Sequence, residues 1–175
     1  MVRTRAALRE ALLVLLEHKP FDQITIREIA VQSGTGYATF FRHYETKAAL
    51  LNDLAADQIS ELIKLTFPVL IETDSRAAAG ALCRYVDERR KLWSALLTGG
   101  AAGTMREEFI RQARQIPPLP SKSSTWLPDD LKVIYGVCST VEIVAWWLQP
   151  GNDFTIEQVA EILDRLVIAP TLKGD

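Results

Sequence analysis

A chain of 175 residues, 48% of them hydrophobic, can bury a sizeable core in one or two small domains. Nine Gly and eight Pro are too few for a fibrous or disordered class, and a net charge of −2 argues against indiscriminate attraction to nucleic acid. The most apolar stretch, Val133 to Leu148, is too short for a membrane span and contains Glu142. The N-terminus runs straight into a helical pattern with no separate apolar leader, so a cytoplasmic protein is expected. Cys83 and Cys138 lie far apart within helical patterns and read as free thiols. Charge is unevenly spread. Residues 1–51 carry seven Lys/Arg against five Asp/Glu, a balance of +2, and the remainder carries −4. A mildly basic head on an acidic body suits a local DNA-facing surface.

Helical periodicity dominates, and the predicted class is all-α. Leu8, Ala11, Leu12, Leu15 and Leu16 form the stripe of a first helix that ends at His18-Lys19-Pro20, after which Phe21 and Ile24 cap a small core. Thr25 followed by Glu28 is a capping box, with Ile24 and Ile29 placed as its hydrophobic staple, so a second helix starts here. Ile26, Ile29 and Ala30 face inward, and Ser33-Gly34 ends the helix at a residue free to take positive φ. A third helix is expected over about 37–44, with Phe40, Phe41 and Tyr44 turned toward the first two. A long fourth helix starts near Thr46, and Pro68 should kink or end it.

A fifth pattern runs from Ser75 to about Leu97, broken by Thr98-Gly99-Gly100. Thr104 and Glu107 read as a second capping box, opening a helix that runs to Ile116. Residues 117–128 are a Pro- and Ser-rich loop. Two last helices are expected at about 129–148 and 155–168, the latter capped by Thr155 with Gln158 and stapled by Phe154 against Val159.

Residues 25–44 have the form of a helix-turn-helix: two short amphipathic helices around one Gly-containing turn. The second helix of such a unit reads base edges with its leading residues, while neighbouring groups hold phosphate. Tyr37, Ala38 and Thr39 are therefore the base-edge candidates. Thr25 and Arg27 should lie near the backbone at the start of the supporting helix. His43 and Lys47, beyond the reading end, suit phosphate contacts. Arg42 reads better as a solvated or ion-paired group.

The register Thr25, Ile29-Ala30, Gly34, Thr39, Phe41, His43-Tyr44, Lys47, Leu50-Leu51 resembles the DNA-binding domain of the TetR family of transcriptional regulators without a gap. The resemblance implies that Thr39, Phe41, His43 and Lys47 occupy DNA-contacting positions. It adds Thr35 and Gly36, at the turn before the reading helix, to the DNA-facing set. It departs from the family at Phe41 (usually Tyr, whose hydroxyl would bind phosphate), at Thr35 (usually aliphatic) and at Gly36 (usually a capping Ser). The implied division is a three-helix DNA-binding domain over 1–46 and a helical effector-binding and dimerisation domain over 47–175.

The implied protein is a DNA-binding repressor that holds a palindromic operator in double-stranded DNA and is released by a small-molecule effector. The helices at 129–148 and 155–168 are apolar over wide arcs, and the resemblance implies that they pair two copies as a homodimer. The same helices could instead complete a monomeric core. Trp93, Met105, Phe109, Trp126 and Tyr135 are the candidate effector-pocket residues, each also compatible with simple packing. No metal or cofactor site is expected. The rival readings are a DNA-binding protein without an effector and an all-α enzyme. With two His, no phosphate loop and no zinc motif, nothing favours the enzyme.

Overall fold

The computed structural model describes residues 2–72, 74–98, 102–116 and 127–172. All regular structure among them is helical. The chain divides into two compact units: residues 1–57 with 91–105, and residues 58–90 with 106–175. The boundary thus lies inside the long fourth helix, and a later helical segment rejoins the N-terminal unit.

The first unit begins with α1 (Val2–Leu16), whose Leu8, Ala11, Leu12 and Leu16 are buried as the stripe requires. A short 3-10 turn (Phe21–Gln23) leads to α2 (Ile26–Gln32), and then come α3 (Tyr37–Phe41) and α4 (Lys47–Glu72). The Thr25 capping box is complete, with Ile24 and Ile29 buried behind it. The reading helix is shorter than expected, five residues in place of about eight. Phe40 and Tyr44 are buried, but Phe41 is 46% exposed and does not join them.

A polar cluster of Arg5, Arg9, Tyr44 and Asp53 ties this unit together. The Asp53 carboxylate accepts from the Tyr44 hydroxyl at 2.5 Å and pairs with Arg5 at 2.6 Å and Arg9 at 3.4 Å. The Arg5 Nε also donates to the Tyr44 oxygen. One carboxylate thereby joins α1, the turn after α3, and α4. Burial, then the Asp53 bond, pushes the Tyr44 hydroxyl above its ordinary pKa.

Pro68 neither ends α4 nor lies at its end, because the helix continues to Glu72. Its missing N–H leaves one helical bond unmade close to the end, where few following turns depend on it. The expected single pattern from 75 to 97 is two helices, α5 (Ser75–Glu88) and α6 (Arg90–Thr98), broken at Arg89, whose φ and ψ of −126° and 36° are not helical. Leu92, Trp93, Leu96 and Leu97 of α6 are buried, in the first unit.

In the second unit, α5 packs on α9 (Ile156–Leu163), which α8 (Asp129–Trp147) also meets. α7 (Ala102–Ala113) starts before Thr104, so Thr104 and Glu107 lie within the helix and do not cap it. Thr155 and Gln158 do form their box at the start of α9. Phe154 is 44% exposed and sets its ring edge-on to Trp146 at 5.0 Å rather than burying itself as a staple. The Trp147 indole donates to Phe154 O at 2.9 Å, and the Arg90 guanidinium covers the same indole and donates to Trp147 O. After Leu163 the chain makes a π-helical turn (Asp164–Ile168) before α10 (Ala169–Leu172).

Both cysteines are free. Cys83 is buried in α5, which pushes its thiol up to about 12, whereas Cys138 is only half-buried. Among the described residues no helix is long and apolar enough to cross a membrane, and no cluster of His, Cys, Asp and Glu could hold a metal ion.

Candidate nucleic-acid interface

The turn that presents α3 is fixed by its own backbone. Gly34 takes φ +66°, its N–H donates to Val31 O, and the Thr35 N–H reaches back to Ala30 O at 2.9 Å. These bonds close the end of α2 around a left-handed glycine, satisfy its last carbonyls and reverse the chain within two residues. The Ser33 hydroxyl donates to Ala30 O and lies 2.8 Å from the Thr35 hydroxyl. With the Ser33 proton used, Thr35 supplies the other, so the Thr35 side chain is half-buried and engaged in the turn itself. This gives Thr35 a turn-locking part where a DNA-facing one was expected.

Gly36 caps α3 with its carbonyl alone: Thr39 N–H donates to it at 2.8 Å and no side-chain cap is made. A Cβ at Gly36 would meet only the Thr39 hydroxyl, at 3.5 Å, so nothing sterically demands glycine there.

Three of the expected reading residues stand at the free end of α3. Tyr37 and Ala38 are exposed and Thr39 is half-buried. Tyr37 rests edge-on against Phe41 at 5.2 Å, Phe41 against Phe40 at 5.4 Å, and Phe40 against Tyr44 at 5.9 Å. The aromatic chain runs from the surface into the core, and it orients the outer pair by way of the inner one. Val31, 76% exposed on the end of α2, adds an apolar group that periodicity alone did not mark.

The cations divide. Arg27 and Arg42 are both exposed, and neither makes an ion pair among the described residues. His43 is half-buried. Lys47 departs from expectation. Its ammonium donates to three carbonyls, Phe21 O at 3.0 Å, Asp22 O at 3.1 Å and Ile24 O at 2.9 Å, and lies 4.7 Å from the Phe21 ring centre. An ammonium has three N–H donors. All three are engaged in clamping the 3-10 turn to the start of α4, and a phosphate would have to compete for them.

Thr25 is exposed, but its hydroxyl accepts from Glu28 N and donates to the Glu28 carboxylate. That carboxylate also takes the Thr25 N–H at 2.9 Å and the Lys19 ammonium at 2.5 Å. The Lys19 bond, then those from Thr25, lower the Glu28 pKa from 4.5 to about 2. The folded value lies below the unfolded one, so the box's contribution is full above pH 4.5 and is lost as pH falls toward about 2. The side-chain carbon of Glu28, followed by NMR, should titrate near 2, and a midpoint at the ordinary 4.5 would contradict these bonds.

The expected pocket residues scatter. Trp93 and Met105 are 1% and 2% exposed core residues of the first unit. Tyr135 is 45% exposed, with its hydroxyl donating to Leu166 O. Trp126 lies outside the described residues. Phe109 lines a cavity of about 250 Å³ in the second unit, walled by α4, α5, α7, α8 and the chain from the π turn onward. The sequence signal for this cavity is Gly136, a glycine midway along α8.

Residues 8–54 match the family model described as bacterial regulatory proteins, tetR family. The HTH-type transcriptional regulator YxbF of Bacillus subtilis (strain 168) is 23% identical over 168 residues. That similarity takes in 93% of this chain but 44% of YxbF, so the chain spans less than half of the curated relative's length. Among solved structures, a TetR transcriptional regulator from Rhodococcus sp. RHA1 is similar with a TM-score of 0.69 at 16% identity, over 97% of this chain and 95% of that one. The TetR-family repressor FadR of Thermus thermophilus, solved with lauroyl-CoA, gives 0.68 at 15% identity, over 98% and 96%. At such identities the likeness to the two structures is one of fold. By the family-model match the chain carries, at residues 8–54, a domain of the kind described as bacterial regulatory proteins, tetR family, and its fold is similar to those of the two solved regulators along nearly its whole length.

Proposed function

We propose that the protein is a sequence-specific transcriptional repressor that binds a palindromic operator as a homodimer and is released by a small-molecule effector. The observation that carries the DNA reading is the end of α3: a rigid turn presents Tyr37, Ala38 and Thr39 at its free end, with the cations Arg27 and Arg42 nearby in sequence. A major groove admits one such helix, and its leading residues meet base edges. Thr25 and His43 are proposed as backbone contacts, and Gly36 as a point of close approach.

One reading helix makes too few contacts for specificity, and a two-fold pair solves this by occupying two half-sites. An exposed apolar set supports pairing through the last helices. Leu131, Tyr135 and Trp146 of α8 are 42–47% exposed, and Leu166 of the π turn is 59% exposed. Apolar side chains gathered on adjoining elements mark a face that a second copy could cover.

The effector reading rests on the cavity in the second unit. FadR, with lauroyl-CoA bound, is a protein of similar fold that holds a ligand. α4 starts three residues after Tyr44 and its later turns contribute Leu62, Phe67 and Leu70 to the cavity wall. A ligand that binds one arrangement of α4 more tightly than another shifts the balance between them, and only by that difference.

Thr39→Ala and Tyr37→Ala test the DNA reading. Each should lower discrimination between a selected operator and a random duplex by about 1–3 kcal/mol if it removes a good base contact. Competition binding on duplexes from in vitro selection measures this. An unchanged preference in both variants would remove α3 as the reading element.

A further inference from the structure

The cavity's wall is chemically one-sided. Among the described residues no Asp, Glu, Lys, Arg or His lines it. Phe67 and Phe109 are its aromatic members, and the rest are aliphatic or small apart from three threonines. Two of the three hydroxyls are committed to their own backbone. Thr66 donates to Leu62 O at 2.8 Å, and Thr171 lies 2.9 Å from both Val167 O and Ile168 O. Thr140 makes no hydrogen bond among the described residues, so it is the one uncommitted side-chain hydroxyl of the wall.

Two backbone features keep this space open. Gly136 sits mid-way along α8, where glycine weakens a helix, and a Cβ built on it would meet nothing within 4 Å. Glycine is therefore not forced on that position by a neighbour, and it lines the cavity. Elsewhere on the wall, the π-helical turn adds a residue to the helix and sets Val167 and Ile168 against the same space. Such turns gather at functional sites.

We infer that this cavity binds an uncharged apolar ligand, a chain or small ring system carrying at most one neutral hydrogen-bonding group, which Thr140 meets, and that Gly136 holds the space for it. An apolar cavity of ~150 Å³ accepts benzene. At about 250 Å³ this one holds roughly nine or ten non-hydrogen atoms. A buried charge without a partner is strongly disfavoured, so the described wall favours neutral ligands over carboxylates and amines. This deepens the effector reading and rests on it for its regulatory meaning, but not for binding.

The test uses the full chain and three probes of one length: 1-octanol, octanoate and octylammonium, titrated calorimetrically at neutral pH. Octanol should bind, with both charged probes about tenfold or more weaker. Gly136→Leu, which fills the space, should weaken octanol by about tenfold, with Gly136→Ala between it and the parent. Sedimentation of each variant should give an unchanged oligomeric state. Thr140→Val, close in shape, should weaken octanol several-fold and leave 1-chloroheptane unaffected, and it gives a reading even if Gly136→Leu does not fold.

No octanol binding, equal binding of octanoate, or unchanged affinity in the Gly136 variants would overturn the proposal. So would a Gly136 effect on self-association alone, which would assign the glycine to an interface. Release of operator DNA is read separately. Octanol that binds without release keeps the site and removes the effector reading.

Discussion

Phe40→Ala should cost about 3–5 kcal/mol of stability in the N-terminal unit and abolish specific DNA binding with it. Phe40 is 0% exposed and is the one buried residue of α3. A helix of five residues has no stability of its own, because nucleation is unfavourable and too few bonds follow it. The reading helix therefore exists only by its anchorage, and Phe40 is that anchor. Its ring also supports Phe41, against which Tyr37 rests, so removing it releases the exposed aromatic pair. Urea denaturation followed by near-ultraviolet circular dichroism, with operator binding on the same preparations, measures both effects. Native-like stability in the variant would contradict the anchoring argument. So would normal binding by a destabilised head.

Lys47→Met should lower stability by about 1–3 kcal/mol while leaving the salt dependence of DNA binding unchanged. The substitution keeps the apolar stem and removes the ammonium from the carbonyls of Phe21, Asp22 and Ile24. Those acceptors lie on one short turn, and part-buried carbonyls left without donors carry a desolvation cost. A phosphate grip at this position would give a different signature. The logarithmic salt slope would then fall by about one unit for each phosphate no longer neutralised, with little change in stability. The pair of measurements separates a clamp from a phosphate ligand, and the geometry favours the clamp.

The legible parts of this fold are those where local chemistry decides the structure. The capping boxes at Thr25 and Thr155 and the positive φ of Gly34 follow from residue type and spacing within a few positions, and all three are present. The Thr104–Glu107 pair has the same spacing and is no cap, since the helix already begins at Ala102. A box motif permits a helix start without compelling one.

Pro68 and Arg89 mislead in opposite directions. The proline suggests an end or a kink, yet α4 runs on past it to Glu72, and the break at Arg89 comes where no Gly or Pro stands beside it. In the interface, exposure of Tyr37 and Ala38 follows from the helical stripe. The engagement of Lys47 and Thr35 does not, because it depends on backbone carbonyls and a turn hydroxyl that sequence patterns do not index. The pocket was the least legible part. Large residues were expected to line it, yet Trp93 and Met105 fill core, and the cavity is bounded mainly by modest aliphatic side chains and a glycine. An empty space is the product of what several helices fail to fill, and no single stripe records it.

The central claim is that α3 reads DNA sequence. Fluorescence anisotropy of the full chain on its own upstream DNA, and on a scrambled duplex of equal length and composition, tests it directly across a salt series. The expected result is tighter binding to the native fragment at every salt concentration. Weakening with salt should be parallel for the two duplexes, since phosphate contacts are shared and base contacts are not. That preference should vanish in Tyr37→Ala with Thr39→Ala. A preference that survives the double substitution intact would contradict the claim and move the reading surface away from α3.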